Sequence, residues 1–112
     1  MNEFVLIFRR DYTLKEVQPT GEAQSTLRKH WQDWFLSLAA LNKLTRPVQR
    51  WDMQGVVLNQ DETVTDGPYL ESNSSVIGLI FISAHDYREA EEIAKNAPIL
   101  EVDGTVEIRM LT

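Results

Sequence analysis

The chain contains no cysteine. That removes disulfides, thiolate metal sites, a cysteine nucleophile and redox chemistry on sulfur, and it fits a reducing compartment. Glycine (5 residues) and proline (4 residues) are too scarce for a low-complexity chain. Long hydrophobic runs are missing too: the longest, residues 76–82, falls far below the roughly 20 apolar residues that a membrane helix needs. Glu3 stands where a signal peptide carries basic charge. A soluble, cytoplasmic protein with no membrane partner is expected. Basic charge is also short, with 11 Lys and Arg against 17 Asp and Glu and a net charge of −6. Such a balance repels a phosphate backbone, so nucleic acid is not an expected partner.

What is present is an ordinary globular composition, 43% hydrophobic and 25% charged over 112 residues. This is the length of one domain, spanning 1–112, with a core sufficient to fold without staples. The charge is uneven. Residues 1–50 carry eight basic and five acidic side chains, a net +3, whereas residues 51–112 carry three basic and twelve acidic, a net −9. A solvated acidic helix and loops account for this, and the asymmetry would also steer a basic partner or help two copies associate.

Along residues 3–9, Phe4, Leu6 and Phe8 point one way and Val5 and Ile7 the other, so the first strand is apolar on both faces. Residues 10–21 lack periodicity and carry Pro19, Thr20 and Gly21, which makes them a loop of a length suited to a lid. From 22 to 44 the apolar residues Leu27, Trp31, Trp34, Phe35, Leu38 and Leu41 trace one helical stripe. Residues 42–54 read as an irregular connector. Runs 55–58 and 62–65, joined by Asn59, Gln60 and Asp61, have the chemistry of a hairpin. Residues 76–83 form a second strand apolar on both faces. Asp86 and Glu89 have capping-box spacing ahead of the stripe Tyr87, Ala90, Ile93, Ala94 and Ala97, and Pro98 ends that helix. Glu91 and Lys95 are spaced to pair across one turn. After Asp103-Gly104, the alternation in 105–111 marks a half-exposed strand.

The order strand, long helix, short strand or hairpin, strand, helix, strand is that of an α+β, ferredoxin-like split βαβ sheet. Its two helices cover one face, while the other would expose apolar side chains over a patch larger than soluble monomers tolerate. A second copy laid sheet against sheet is the simplest cover. The expectation is therefore a homodimer through the open sheet face, forming a dimeric α/β barrel, with a cavity between sheet, helix and loops.

Thr65-Asp66-Gly67-Pro68-Tyr69 followed by Glu71, then Ile77-Gly78, the helix containing Ala90, Pro98, and Gly104-Thr105-Val106-Glu107-Ile108-Arg109 together resemble the YCII-related, or DGPF-domain, family. The resemblance covers about residues 27–110. It implies a dimeric ferredoxin-like fold in a family mostly without an established reaction, some members being encoded near or fused to sigma factors. It also implies a His on the first helix paired with an Asp in the cleft. His30 matches the helix position. One branch places the Asp before a Pro near the end of the second helix, where this chain has Asn96-Ala97-Pro98, which leaves Asp66 as the carboxylate. Relatives also carry a Lys-Glu pair where this chain has Asn73-Ser74, and a Gly after the first helix that is missing near residues 41–44.

His30 lies about 60° from the centre of the apolar stripe at 100° per residue. An imidazole there, beside Asp66, suits a general acid or base, and a bond from the ring to a backbone carbonyl is the purely structural alternative. Asp66 in its turn is equally suited to bonding local amides. His85, before the helix cap, is expected in solvent. The ligand-contact residues expected are Trp34, Trp51, Tyr69 and Arg109. Trp31 and Trp34 also fit the core stripe, Trp51 in the connector is the better pocket residue, and Arg109 suits a surface ion pair near Glu107. Two histidines without further ligand spacing give no metal site, and no cofactor is expected. Two readings result: a homodimer whose cleft binds a small organic ligand, with or without His30–Asp66 acid–base chemistry, or a non-catalytic, transcription-associated interaction module.

Overall fold

A computed structural model of the chain describes residues 1–11, 21–49, 51, 54–71 and 74–112. The lid expected within residues 10–21 lies, from 12 to 20, outside them. The protein is α+β. Strand β1 (Asn2–Asp11) is the middle of a three-stranded antiparallel sheet, flanked by β4 (Ser74–Ala84) and β5 (Thr105–Met110). Helix α1 (Glu22–Ala40) follows β1, and α2 (Tyr87–Ala94) with a 3₁₀ turn at Pro98–Val102 joins β4 to β5. Between α1 and β4, strands β2 (Val56–Leu58) and β3 (Val64–Asp66) pair with each other as a separate hairpin.

The two-faced character of β1 explains its central place. Phe4, Leu6 and Phe8 are buried, opposite Ile82, Ile80 and Gly78 on β4 and Met110, Ile108 and Val106 on β5. Trp34 and Leu38 of α1, Ala90 and Ala94 of α2, and Ala97 and Ile99 close the core over this face. Val5 and Ile7, paired with Phe81 and Leu79, point to the opposite face and stay half-buried. The register shifts between Phe8 and Arg9: Phe8 faces Gly78, Arg9 faces Val76, and Ile77 is the extra residue of a bulge.

Local chemistry fixes the element ends. Asp86 is the N-cap of α2, its Oδ1 accepting from the Glu89 N–H at 2.9 Å, as the capping-box spacing predicts. Lys95, at the end of that helix, pairs with Glu92 at 2.7 Å, one position from the expected Glu91. Tyr87 stacks edge-on against Phe4 at 5.0 Å, and its hydroxyl accepts from the Met110 N–H at 3.0 Å, tying α2 to both strands. Helix α1 stops at Ala40, earlier than its apolar stripe suggests. Asn42 takes a left-handed φ of 56°, the Lys43 N–H reaches the Leu38 carbonyl at 2.8 Å, and the Asn42 N–H reaches that of Ala39 at 3.0 Å. This is a Schellman termination with Asn in the position glycine usually fills.

The hairpin is where the sequence predicts one, but it does not join the main sheet. Its strands of three residues bond to each other, and the Asn59 side chain bridges the turn to Thr63 and Thr65. The free edge of β4 is met instead by the connector directly after α1. Leu44 bridges Ile82, the Thr45 N–H donating to the Phe81 carbonyl at 3.1 Å and the Ser83 N–H to that of Lys43 at 2.8 Å. Side chains reinforce the crossing: Lys43 pairs with Glu89 at 2.8 Å, while Arg46 lies 4.1 Å over the Phe81 ring and bonds Glu3 at 3.0 Å.

Candidate functional site

Beyond the Leu44 bridge, the connector stands away from β4 and leaves a groove of about 450 Å³. Its described walls are Phe8 of β1, Trp31 and Phe35 of α1, Val48, Gln49 and Trp51 of the connector, and residues 77–80 of β4. Trp31 and Phe35 sit one helical turn apart and so share a face. They form a continuous aromatic wall: the Trp31 ring meets Phe8 edge-on at 5.1 Å and Phe35 at 5.5 Å. Trp34 backs this wall from the core, 5.9 Å from both Phe8 and Trp31. Gly78 keeps the floor low, and the neighbouring bulge brings Ile77 into the lining. Trp51 completes the aromatic part of the lining and is 45% exposed. No described lining residue is ionisable, and the polar side-chain groups are the Gln49 amide and the indole N–H groups of Trp31 and Trp51. A small concavity of mostly apolar wall with few polar groups is the usual form of an organic-ligand site.

The residues singled out in the sequence are dispersed. His30 is an exposed residue of α1, with Nδ1 3.1 and 3.2 Å from the two carboxylate oxygens of Glu101 in the 3₁₀ turn. The carboxylate beside this imidazole is therefore Glu101, 71 residues away in sequence. Asp66 lies in the exposed hairpin and shares a second, smaller concavity of about 310 Å³ with Tyr69, Val57 and Pro68. Trp34 is buried at 6% exposure and belongs to the core, whereas Trp51 lines the groove. Arg109 is exposed on the open sheet face and reaches Glu107 at 3.3 Å, with Arg9 4.0 Å from the same carboxylate. His85 is exposed. Of the described groove residues, sequence reasoning assigns only Trp51 to a site; Phe8, Trp31, Phe35, Val48, Gln49 and residues 77–80 are not assigned to one. The spacing of Trp31 and Phe35 is visible in the sequence, but the strand and connector that face them are not.

Shifted carboxylates lie away from the groove. Arg46, and then the Thr45 hydroxyl, hold Glu3 below its ordinary value. Lys43 does the same for Glu89, and the hydroxyl and N–H of Thr63 for Asp61. Among the described residues no group of three or more His, Asp or Glu side chains gathers that would hold a metal ion, and no helix is long and apolar enough to cross a membrane. No protein-family model matches the chain, and no curated protein matches it.

Proposed function

We propose that the chain is a small-molecule binding protein of the YCII-related (DGPF-domain) type, a ferredoxin-like unit that pairs with a second copy through its open sheet face and holds a small organic ligand in the aromatic groove. The groove itself carries this reading: about 450 Å³ walled by Phe8, Trp31, Phe35 and Trp51, with no ionisable described lining residue. Such a lining supports binding of an uncharged body and supplies no proton donor or acceptor for acid–base chemistry. His30 and Glu101 act as a solvent-facing pair at the side of α1.

The ferredoxin-like assignment is supported by the order β4–β1–β5 and by the Leu44 bridge on the far edge of β4, where such a fold has its remaining strand. The dimer is supported by Val5, Ile7, Leu79 and Phe81, which remain half-buried on a face that carries no helix. Docking of a protein partner is the second reading. It is favoured by the hairpin, where Val56, Leu58 and Val64 stand exposed beside Asp61, Glu62 and Asp66.

Titration with 2-naphthol, followed by tryptophan fluorescence, tests the groove. Saturable quenching is expected, lost in W51A with the fold intact by circular dichroism. Unsaturable quenching, or quenching unchanged in W51A, refutes the assignment. Sedimentation at micromolar concentration tests the dimer: a single 12.9 kDa species would refute it.

A further inference from the structure

The groove contains one polar feature that its side chains do not reveal. At Phe81 the carbonyl, and at Ser83 the N–H, point away from β1 and are taken by Thr45 and Lys43. In an antiparallel ladder the main-chain groups of alternate residues point to the same edge. The pairing runs without a break from Glu3–Ser83 through Val5–Phe81 to Ile7–Leu79. The N–H and C=O of Leu79 therefore point to that same outer edge, where Leu79 forms part of the groove wall. Among the described residues nothing bonds to either of them. Among the described residues the connector makes no main-chain bond to β4 beyond those at Phe81 and Ser83, and its Val48 and Gln49 line the groove.

We infer that the ligand is an uncharged, planar aromatic carrying a lactam-type edge, a ring N–H beside a ring C=O, which bonds the C=O and N–H of Leu79 while its body packs on Trp31, Phe35 and Trp51. This rests on the groove being a ligand site and adds the chemical class that fills it. An extended residue presents its donor and acceptor side by side, and a cis-amide in a ring presents the complementary pair at a similar spacing. A purely hydrocarbon ligand would strip water from both Leu79 groups without replacing its bonds, and that loss opposes binding. A charged ligand would find no counter-ion among the described lining residues. Addition of an extended peptide strand uses the same main-chain groups but needs a longer open edge. Here the Leu44 bridge closes one end and the Ile77 bulge interrupts the other.

The test compares three probes of similar size on the full chain: 2-quinolone, its N-methyl derivative and naphthalene, with affinities from tryptophan fluorescence and contacts from amide NMR spectra. The expected result is that 2-quinolone binds about tenfold or more tightly than either of the others, and that it moves the Leu79 amide proton downfield. Equal affinity for all three with the Leu79 signal unmoved would leave the groove as a ligand site and overturn the lactam edge. Failure of all three to bind would overturn the groove reading, and this inference with it. Displacement of 2-quinolone by a capped tripeptide at lower concentration would overturn the choice of a small ligand in favour of strand addition.

Discussion

Replacing Gly104 by Ala places one methyl group where the chain has no room for it. A Cβ at this position would lie 2.2 Å from Ile99 Cγ1, 2.7 Å from the Arg9 carbonyl oxygen and 2.8 Å from the Ile99 carbonyl oxygen. The isoleucine tip can rotate away, but the two oxygens belong to main chain already in use. Arg9 pairs with Thr105 in the β1–β5 ladder, and the Ile99 carbonyl accepts the Gly104 N–H at 2.9 Å. Relief therefore means moving β1 against β5 or breaking the Gly104–Ile99 bond. Overpacking costs about 1–3 kcal/mol and a lost hydrogen bond about 0.5–1.5 kcal/mol. G104A is expected to lose about 2–4 kcal/mol, which lowers the urea midpoint by about 2 M at a slope of roughly 1.5 kcal/mol per M. Equilibrium urea denaturation followed by far-UV circular dichroism measures it, with D103G as a control. Asp103 holds a left-handed φ of 61°, so glycine there relieves backbone strain and gives no loss. A G104A midpoint within about 0.3 M of wild type would refute the close approach and the packing of the 3₁₀ turn against β1.

At the end of α1, N42A is expected to cost about 1 kcal/mol because alanine tolerates the left-handed conformation less well than asparagine, while N42G keeps or raises the thermal midpoint; differential scanning calorimetry separates the two. In the core, Leu6 is fully buried, and L6A is expected to cost about 2–5 kcal/mol by urea denaturation. Glu3 titrates below its ordinary value because Arg46, and then Thr45, bond its ionised form. A depressed carboxylate adds stability above its unfolded pKa and loses it as pH falls through the folded one. Wild type is therefore expected to lose stability on acidification below the ordinary carboxylate value of 4.5, more steeply than E3Q, in a pH series of thermal midpoints. H30A and E101A are expected to leave both the urea midpoint and naphthol binding unchanged within error; a loss of binding in either would bring the pair into the site.

Much of the frame is visible in short stretches of sequence because its causes are local. Asp86 and Glu89 mark the start of α2, Phe4, Leu6 and Phe8 against Val5 and Ile7 mark a central strand, and Asn59 with Asp61 marks the hairpin turn. The end of α1 is misread for a local reason as well. Leu41 continues the apolar stripe, but Asn42 turns the backbone, leaving Leu41 two-thirds exposed and sending Leu44 to β4. The site is not local. Its walls come from positions 8, 31, 35, 48, 51 and 79, brought together by the bulge at Ile77 and by the route of the connector, neither of which has a sequence signal. The partner of His30 is equally remote, since an exposed ion pair depends on which surface the 3₁₀ turn meets. Trp34 and Trp51 are already separated by sequence context, one on the helical stripe and the other in the connector, and they lie in the core and in the groove wall respectively.

The β2–β3 hairpin enters and leaves through a neck that is already closed. The Gly67 N–H donates to the Gly55 carbonyl at 2.7 Å, and Gly67 holds a φ of 91° that glycine supplies at no steric cost. Everything between those two residues is an appendix to the molecule. It can be trimmed to a tight turn or exchanged for a foreign peptide without unpairing a strand of the main sheet. For protein engineering this makes the neck a grafting point, and for natural descendants it is the place where length is free to drift while the sheet stays fixed.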